Sequence, residues 1–154
     1  MTTLIRGRSR ASVPVDNLGF DPGNGVTQVR IVQDDKSIYA AFHCIQLEKP
    51  NEHDSVTLTL YRKDEQLISV TCRPNGLTLP DTEGPTSATF SGRGWWTAFL
   101  TIPKSTVSGV STTECRADLV RTRRDRSYVW SPPLNAPWTD MPMARRGRIV
   151  FDTK

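Results

Sequence analysis

Residues 131–147, SPPLNAPWTDMPMARRG, place a single indole, Trp138, among four prolines and two methionines. Proline fixes φ and removes a backbone donor, so this segment is neither helix nor central strand. A large aromatic in such a loop has two uses. It folds under the loop against Pro137 and Met141, or it stands out to meet a ligand from a backbone that proline has already stiffened. Met141 or Met143 together with a histidine would also be a chemically competent axial pair for haem iron. Other residue types argue against catalysis. A glycosidase needs two carboxylates across the scissile bond, one with its pKa raised by burial. The adjacent acids Asp34 and Asp35 instead sit where a tight turn is expected, and Asp is a turn former. No serine lies in a nucleophile elbow, and His43 and His53 have no zinc-ligand spacing with the cysteines.

Further polar candidates cluster in EKPNEHD, residues 48–54. His53 stands beside Asp54, which opens an alternating strand pattern. Its carboxylate either accepts backbone N–H bonds at the strand start or reaches a ligand. His43 precedes Cys44 in an apolar run and reads as an outward-facing or hydrogen-bonded strand residue. Between Arg116 and Arg148 there are eight arginines against three aspartates. The cluster suits either cross-sheet pairing with carboxylates or an acidic polymer. It lacks the interleaved aromatics and motifs of a nucleic-acid interface, so nucleic acid is not the expected partner. Cys44, Cys72 and Cys115 are an odd set with no CxxC spacing, and the expectation is three buried thiols.

The elements that must hold these residues are strands. VTQVRIVQ (26–33) and IYAAFHCI (38–45) flank a DD–KS turn and form a hairpin. In SVTLTLYRK (55–63), Val56, Leu58 and Leu60 fall on one face and Ser55, Thr57 and Thr59 on the other. QLISVTCR (66–73) follows as its hairpin partner, and RPNGLTLPDTEGP is turn chemistry. WWTAFLTIP (95–103) is a strand ended by proline. Its adjacent Trp95 and Trp96 point to opposite faces, one into the core and the other over the sheet's rim or toward a ligand. KSTVSG makes a single helical or 3₁₀ turn. CRADLVRTRR (115–124) pairs with SYVWS (127–131), whose Trp130 reads as core, and GRIVFD (147–152) is the last strand.

About eight to ten strands, regular turns and almost no helix predict an all-β antiparallel sandwich of the jelly-roll or Greek-key kind. With 154 residues and a formal net charge of +4, the chain is sized for one domain. Residues 1–25, with Pro14 and Pro22, read as an irregular N-terminal lead-in, and 26–154 as the sandwich. No run of 18 apolar residues predicts a membrane span, and the N-terminus has no apolar stretch of signal-peptide type.

The order of motifs carries more than their number. TQVRIVQDDKSIYAAFHC, HDSVTLTLY, RPNG, GWWTAFLTIPKSTV, LVRTRR…YVWSPP and RRGRIVFD follow one another across residues 26–152. This succession resembles the family 9 carbohydrate-binding modules and their family-9-like relatives. The resemblance implies a non-catalytic β-sandwich that binds poly- or oligosaccharide. It also implies an extracellular or periplasmic location, and an appended polysaccharide-degrading catalytic domain. No cofactor is required, although many relatives carry structural calcium. The best-known family site grips a sugar-chain end between two tryptophans. Trp138 matches the tryptophan of the C-terminal loop, and Asp54 the aspartate opening the DSV strand. Asn51 stands where the other tryptophan is expected, and Thr57 replaces a glutamate. Arg73 lies two positions beyond the expected arginine, on the same strand face. Arg121 is in part a family feature. Sugars offer an apolar C–H face and a polar rim, which an indole and Asp, Asn, Arg or His side chains match. The candidate carbohydrate-binding set is therefore Trp138, Asn51, His53, Asp54, Arg73 and Arg121. The competing expectation is a structural or interaction domain that has kept the sandwich and lost the sugar site.

Overall fold

A computed structural model describes residues 4–7, 11–14, 27–62, 65–77, 84–107, 114–123, 126–129 and 147–151. Among them are twelve strands: β1 (Leu4–Gly7), β2 (Ala11–Pro14), β3 (Thr27–Gln33), β4 (Ser37–Ile45), β5 (Ser55–Arg62), β6 (Glu65–Arg73), β7 (Gly76–Leu77), β8 (Thr86–Gly92), β9 (Trp95–Pro103), β10 (Glu114–Arg123), β11 (Arg126–Val129) and β12 (Gly147–Phe151). One 3₁₀ turn, Lys104–Thr106, follows β9. The all-β sandwich expected from the sequence is the architecture found. A seven-stranded sheet runs β1-β12-β10-β5-β6-β7, with β11 beside the second half of β10. A five-stranded sheet runs β2-β3-β4-β9-β8. All pairings are antiparallel except that of β1 with β12, which is parallel.

The hairpin read at 26–45 is β3–β4, and its turn is set by Asp34. One carboxylate oxygen accepts the N–H groups of Lys36 and Ser37, both at 2.8 Å, and the other accepts the Tyr39 hydroxyl at 2.7 Å. These bonds hold the exposed Asp34 carboxyl below the usual carboxylate range, the Tyr39 hydroxyl first among them. The alternation read in β5 is also present: Val56, Leu58 and Leu60 are buried and face Leu119 and Ala117 of β10 and Ile68, Val70 and Cys72 of β6. From the other sheet, Val29, Ile31, Ile38, Phe42, Trp96, Leu100 and Ile102 complete one continuous core. Each such side chain contributes about 1.5–3 kcal/mol when fully buried. Cys44 and Cys72 are buried free thiols. Burial pushes the Cys44 thiol up to about 11. The side chain of Cys115, and Trp130 altogether, lie outside the described residues.

Two parts of the sequence reading need correction. The first 25 residues, expected as an irregular lead-in, hold two short strands, one on each sheet. RPNGLTLPDTEGP, expected as turn chemistry throughout, contains β7, and the unassigned residues 86–94 contain the edge strand β8. At β8 (TSATFSG) the outward positions are Thr86, Ala88 and Phe90, so no hydrophobic alternation announces the strand. Among the described residues, twelve strands therefore stand where about eight to ten were expected.

Candidate functional site

The connection between β4 and β5, residues 46–54, crosses the end of the sandwich from the five-stranded to the seven-stranded sheet. It carries Leu47, Glu48, Lys49, Asn51, Glu52 and His53 on its exposed side. Beneath it lies a chain of buried polar side chains. Arg121 is on β10, opposite Val56, so it points into the sandwich with Leu119 and Ala117. Its side chain reaches across the gap between the sheets. There Nη1 donates to the Thr27 hydroxyl at 2.6 Å and Nη2 to Gln46 Oε1 at 2.7 Å. Gln46 Nε2 donates in turn to Asp54 Oδ2 at 3.1 Å and to the Glu48 carbonyl at 3.0 Å. The same Asp54 oxygen accepts the Asn51 backbone N–H at 3.0 Å. Arg121 is 4% exposed, Gln46 3% and Asp54 2%. Burial of such groups costs several kcal/mol unless they are hydrogen-bonded, and this chain supplies bonds to both Arg121 Nη groups, both ends of the Gln46 amide and Asp54 Oδ2.

Four more hydrogen bonds tie the loop. The Asn51 side-chain oxygen accepts the His53 backbone N–H at 2.8 Å, and the Asp54 backbone N–H donates to the Asn51 carbonyl at 3.1 Å. Arg73, exposed at the end of β6, donates from Nη1 to the Glu52 carbonyl at 3.1 Å. The Gln46 backbone N–H donates to the Gly94 carbonyl at 2.8 Å. That last bond joins the loop to the two-residue turn Arg93–Gly94 between β8 and β9, where Gly94 has φ +80°.

Five of the six residues singled out from the sequence are thus gathered around one loop. Asn51 and His53 present outward, Arg73 braces the loop from β6, and Asp54 and Arg121 lie beneath it. Trp138 lies outside the described residues. The strand-start role weighed for Asp54 corresponds to its bond from Asn51 N–H. Gln46, the hub that joins Arg121 to Asp54, and Thr27 were not anticipated, because a lone glutamine next to a strand end has no motif. Among the described residues, no group of three or more His, Cys, Asp or Glu side chains could hold a metal ion. The structural calcium implied by the resemblance has no such side-chain cluster there.

Beside this loop, on the outer face of the five-stranded sheet, lies a second feature that the sequence reading left largely unassigned. Trp95 is 37% exposed, Phe99 45% and Phe90 58%. Trp95 pairs across the sheet with Gly92. A Cβ at Gly92 would lie 2.5 Å from the Trp95 Nε1, so the indole lies over the glycine. The His43 ring is tilted 40° to Trp95 at a centroid distance of 5.9 Å, and its Nδ1 is 2.8 Å from the Thr97 hydroxyl. Phe90 and Phe99 meet edge to face at 5.9 Å.

No protein-family model matches the chain, and no curated protein is significantly similar to it. Solved structures are. A family 9 carbohydrate-binding module from Caldicellulosiruptor kristjanssonii in complex with glucose superposes with a TM-score of 0.67 at 14% identity, covering 99% of this chain and 97% of that one. A family 9 module from the same organism in complex with cellotriose superposes with a TM-score of 0.59 at 13% identity, covering 84% and 76%. The strand order read in the sequence and the two-sheet architecture converge on one result: the chain has the fold of the family 9 carbohydrate-binding modules.

Proposed function

We propose that the chain is a non-catalytic carbohydrate-binding module. It attaches to poly- or oligosaccharide through Trp138 as the aromatic platform, with Asn51 and His53 of the 46–54 loop meeting sugar hydroxyls. The observation that carries this reading is the loop itself: exposed donors and acceptors on a backbone fixed from below by Arg121, Gln46 and Asp54. A loop held in advance loses little entropy on binding. In this reading Asp54, Arg121 and Arg73 act as positioning residues. The fold supports it too, since both neighbours were solved with sugars bound. Absence of catalysis is part of the same proposal. Asp54 and Asp118 are buried on different elements, each engaged in its own hydrogen bonds, and Asp34 and Asp35 are exposed in a turn. A location outside the cytoplasm and an appended polysaccharide-degrading domain belong to this proposal as well. No helix among the described residues is long and apolar enough to cross a membrane.

Titration calorimetry against glucose, cellotriose and a wider oligosaccharide panel tests the reading. Trp138→Ala is expected to weaken binding by about 2 kcal/mol, as for a truncated aromatic anchor. Absence of binding across the panel, with Trp138→Ala indistinguishable from the parent, would overturn it. That result would favour a second reading, a structural or interaction sandwich without a sugar site. Asn51 in place of the expected tryptophan supports that alternative, as does the inward commitment of Asp54 and Arg121.

A further inference from the structure

The outward positions of the five-stranded sheet form a grid fixed by strand register. From β3 across β4 and β9 to β8, one row reads Gln28, His43, Thr97, Phe90. The next reads Arg30, Ala41, Phe99, Ala88, and a third Val32, Tyr39, Thr101, Thr86. Ile45, Trp95 and Gly92 close the end nearest the 46–54 loop. Neighbouring strands are about 4.8 Å apart, and same-face residues along a strand about 7 Å. Trp95 and Phe99 are thus about 14 Å apart along β9, with Phe90 on the adjacent strand between them.

Three properties distinguish this face from an ordinary wet sheet surface. Its aromatics are large and left open, although burying each would have contributed about 1.5–3 kcal/mol. Small residues surround them: Gly92 admits the Trp95 indole, and Ala41 and Ala88 flank Phe99. Polar groups are interleaved with the rings: the Thr101 and Thr86 hydroxyls, and the His43 imidazole, whose Nδ1 lies 2.8 Å from the buried Thr97 hydroxyl. Such alternation suits a ligand with apolar C–H faces and polar edges better than it suits a dry protein interface. Charge narrows the class further. The outward described positions of β3, β4, β8 and β9 hold no carboxylate; Asp34, in the β3–β4 turn, meets the Tyr39 hydroxyl at 2.7 Å at the end away from Trp95, and the exposed Arg30 is the permanent cation of the strands. Arg93 stands in the turn next to Trp95.

We propose that this face is a second glycan-binding surface. An extended acidic polysaccharide lies along β9, with sugar rings on Trp95 and on the Phe90–Phe99 pair and a carboxylate directed to Arg30. The surface is continuous with the 46–54 loop through the Ile45–Trp95 pairing and the Gln46–Gly94 hydrogen bond. The proposal rests on the reading that the chain binds carbohydrate, and adds a second surface that holds the interior of a chain.

The test uses the full chain, with hexamers of galacturonate and of glucose as acidic and neutral probes. Trp95→Ala and Phe99→Ala are each expected to weaken binding of the acidic hexamer about tenfold. Arg30→Gln should weaken it about threefold, an effect that vanishes at high salt. Trp95→Phe should recover most of the loss, and thermal melts identify any variant that fails to fold. Trp138→Ala measured on glucose reports the loop site separately. Loss of glucose binding there, with Trp95→Ala and Phe99→Ala leaving the acidic hexamer unaffected, keeps the loop reading and overturns this one. Equal binding of both hexamers with no effect of Arg30→Gln overturns the acidic ligand. Sedimentation showing dimers that Phe99→Ala dissociates identifies a second copy as the occupant and also overturns it. Absence of binding to any sugar removes both readings.

Discussion

Two neighbouring regions invert the usual placement of polar and apolar residues, and they do so with opposite consequences. Under the 46–54 loop, Arg121, Gln46 and Asp54 are almost fully buried. On the outer face of the adjacent sheet, Trp95, Phe99 and Phe90 are exposed. The buried region is engaged internally: the Arg121 Nη groups, both ends of the Gln46 amide and one Asp54 oxygen meet protein partners at 2.6–3.1 Å. The exposed region contains rings that rest on Gly92, His43 and each other and still keep 37–58% of their residue surface open. A charged residue at a family-like position can thus be structural, while aromatics that the sequence reading assigned no firm role stand open on the surface.

The sharpest way to break this contrast is Arg121→Ala. It leaves Gln46 Oε1 and the Thr27 hydroxyl buried without their charged donor, and should cost about 3 kcal/mol in urea unfolding. A loss below about 1 kcal/mol would mean that the buried chain is dispensable. Gly92→Val comes next. Its side chain takes the space of the Trp95 indole, so the ring must swing away, at about 1 kcal/mol. Tryptophan emission should shift to the red, and an unchanged spectrum would show that the indole does not rest there. Phe99→Thr replaces an exposed aromatic with a good strand former. Stability should stay within about 0.5 kcal/mol, and a drop matching that of Arg121→Ala would place Phe99 in the core's service instead.

The smallest effect concerns Asp34. Its carboxyl is held below the usual carboxylate range by the Tyr39 hydroxyl and the Lys36 and Ser37 N–H groups. A depressed folded-state value stabilises the fold above the unfolded-state value, and that stability disappears as pH falls through the folded one. Melting temperature should therefore decline on acidification below about pH 4, with a shallower decline in Asp34→Asn. Parallel curves for the two proteins would remove this contribution.

The parts of the fold that could be read in advance are those where one physical signal dominates. Period-two alternation at Val56, Leu58 and Leu60 located β5, and the Asp34 turn located the β3–β4 hairpin. β8 escaped because an edge strand with Thr86, Ala88 and Phe90 outward has no apolar row, and β7 because it has two residues. At the site, the loop was found from its polar composition, but its support was not. An inward-facing arginine on β10 looks in sequence like its outward neighbours until register fixes its side. The same holds for Phe99, whose composition says core and whose pairing with Ala41 and Ala88 says surface.

The parallel pairing of β1 with β12, Leu4 beside Arg148 through Gly7 beside Phe151, has a mechanical consequence. Tension applied before β1 and after β12 pulls the two strands lengthwise past each other. Their backbone bonds are then loaded together in shear, not opened one at a time as in unzipping. A domain anchored at one end while its ligand or neighbour drags on the other would meet that load with its terminal strands acting as a clamp.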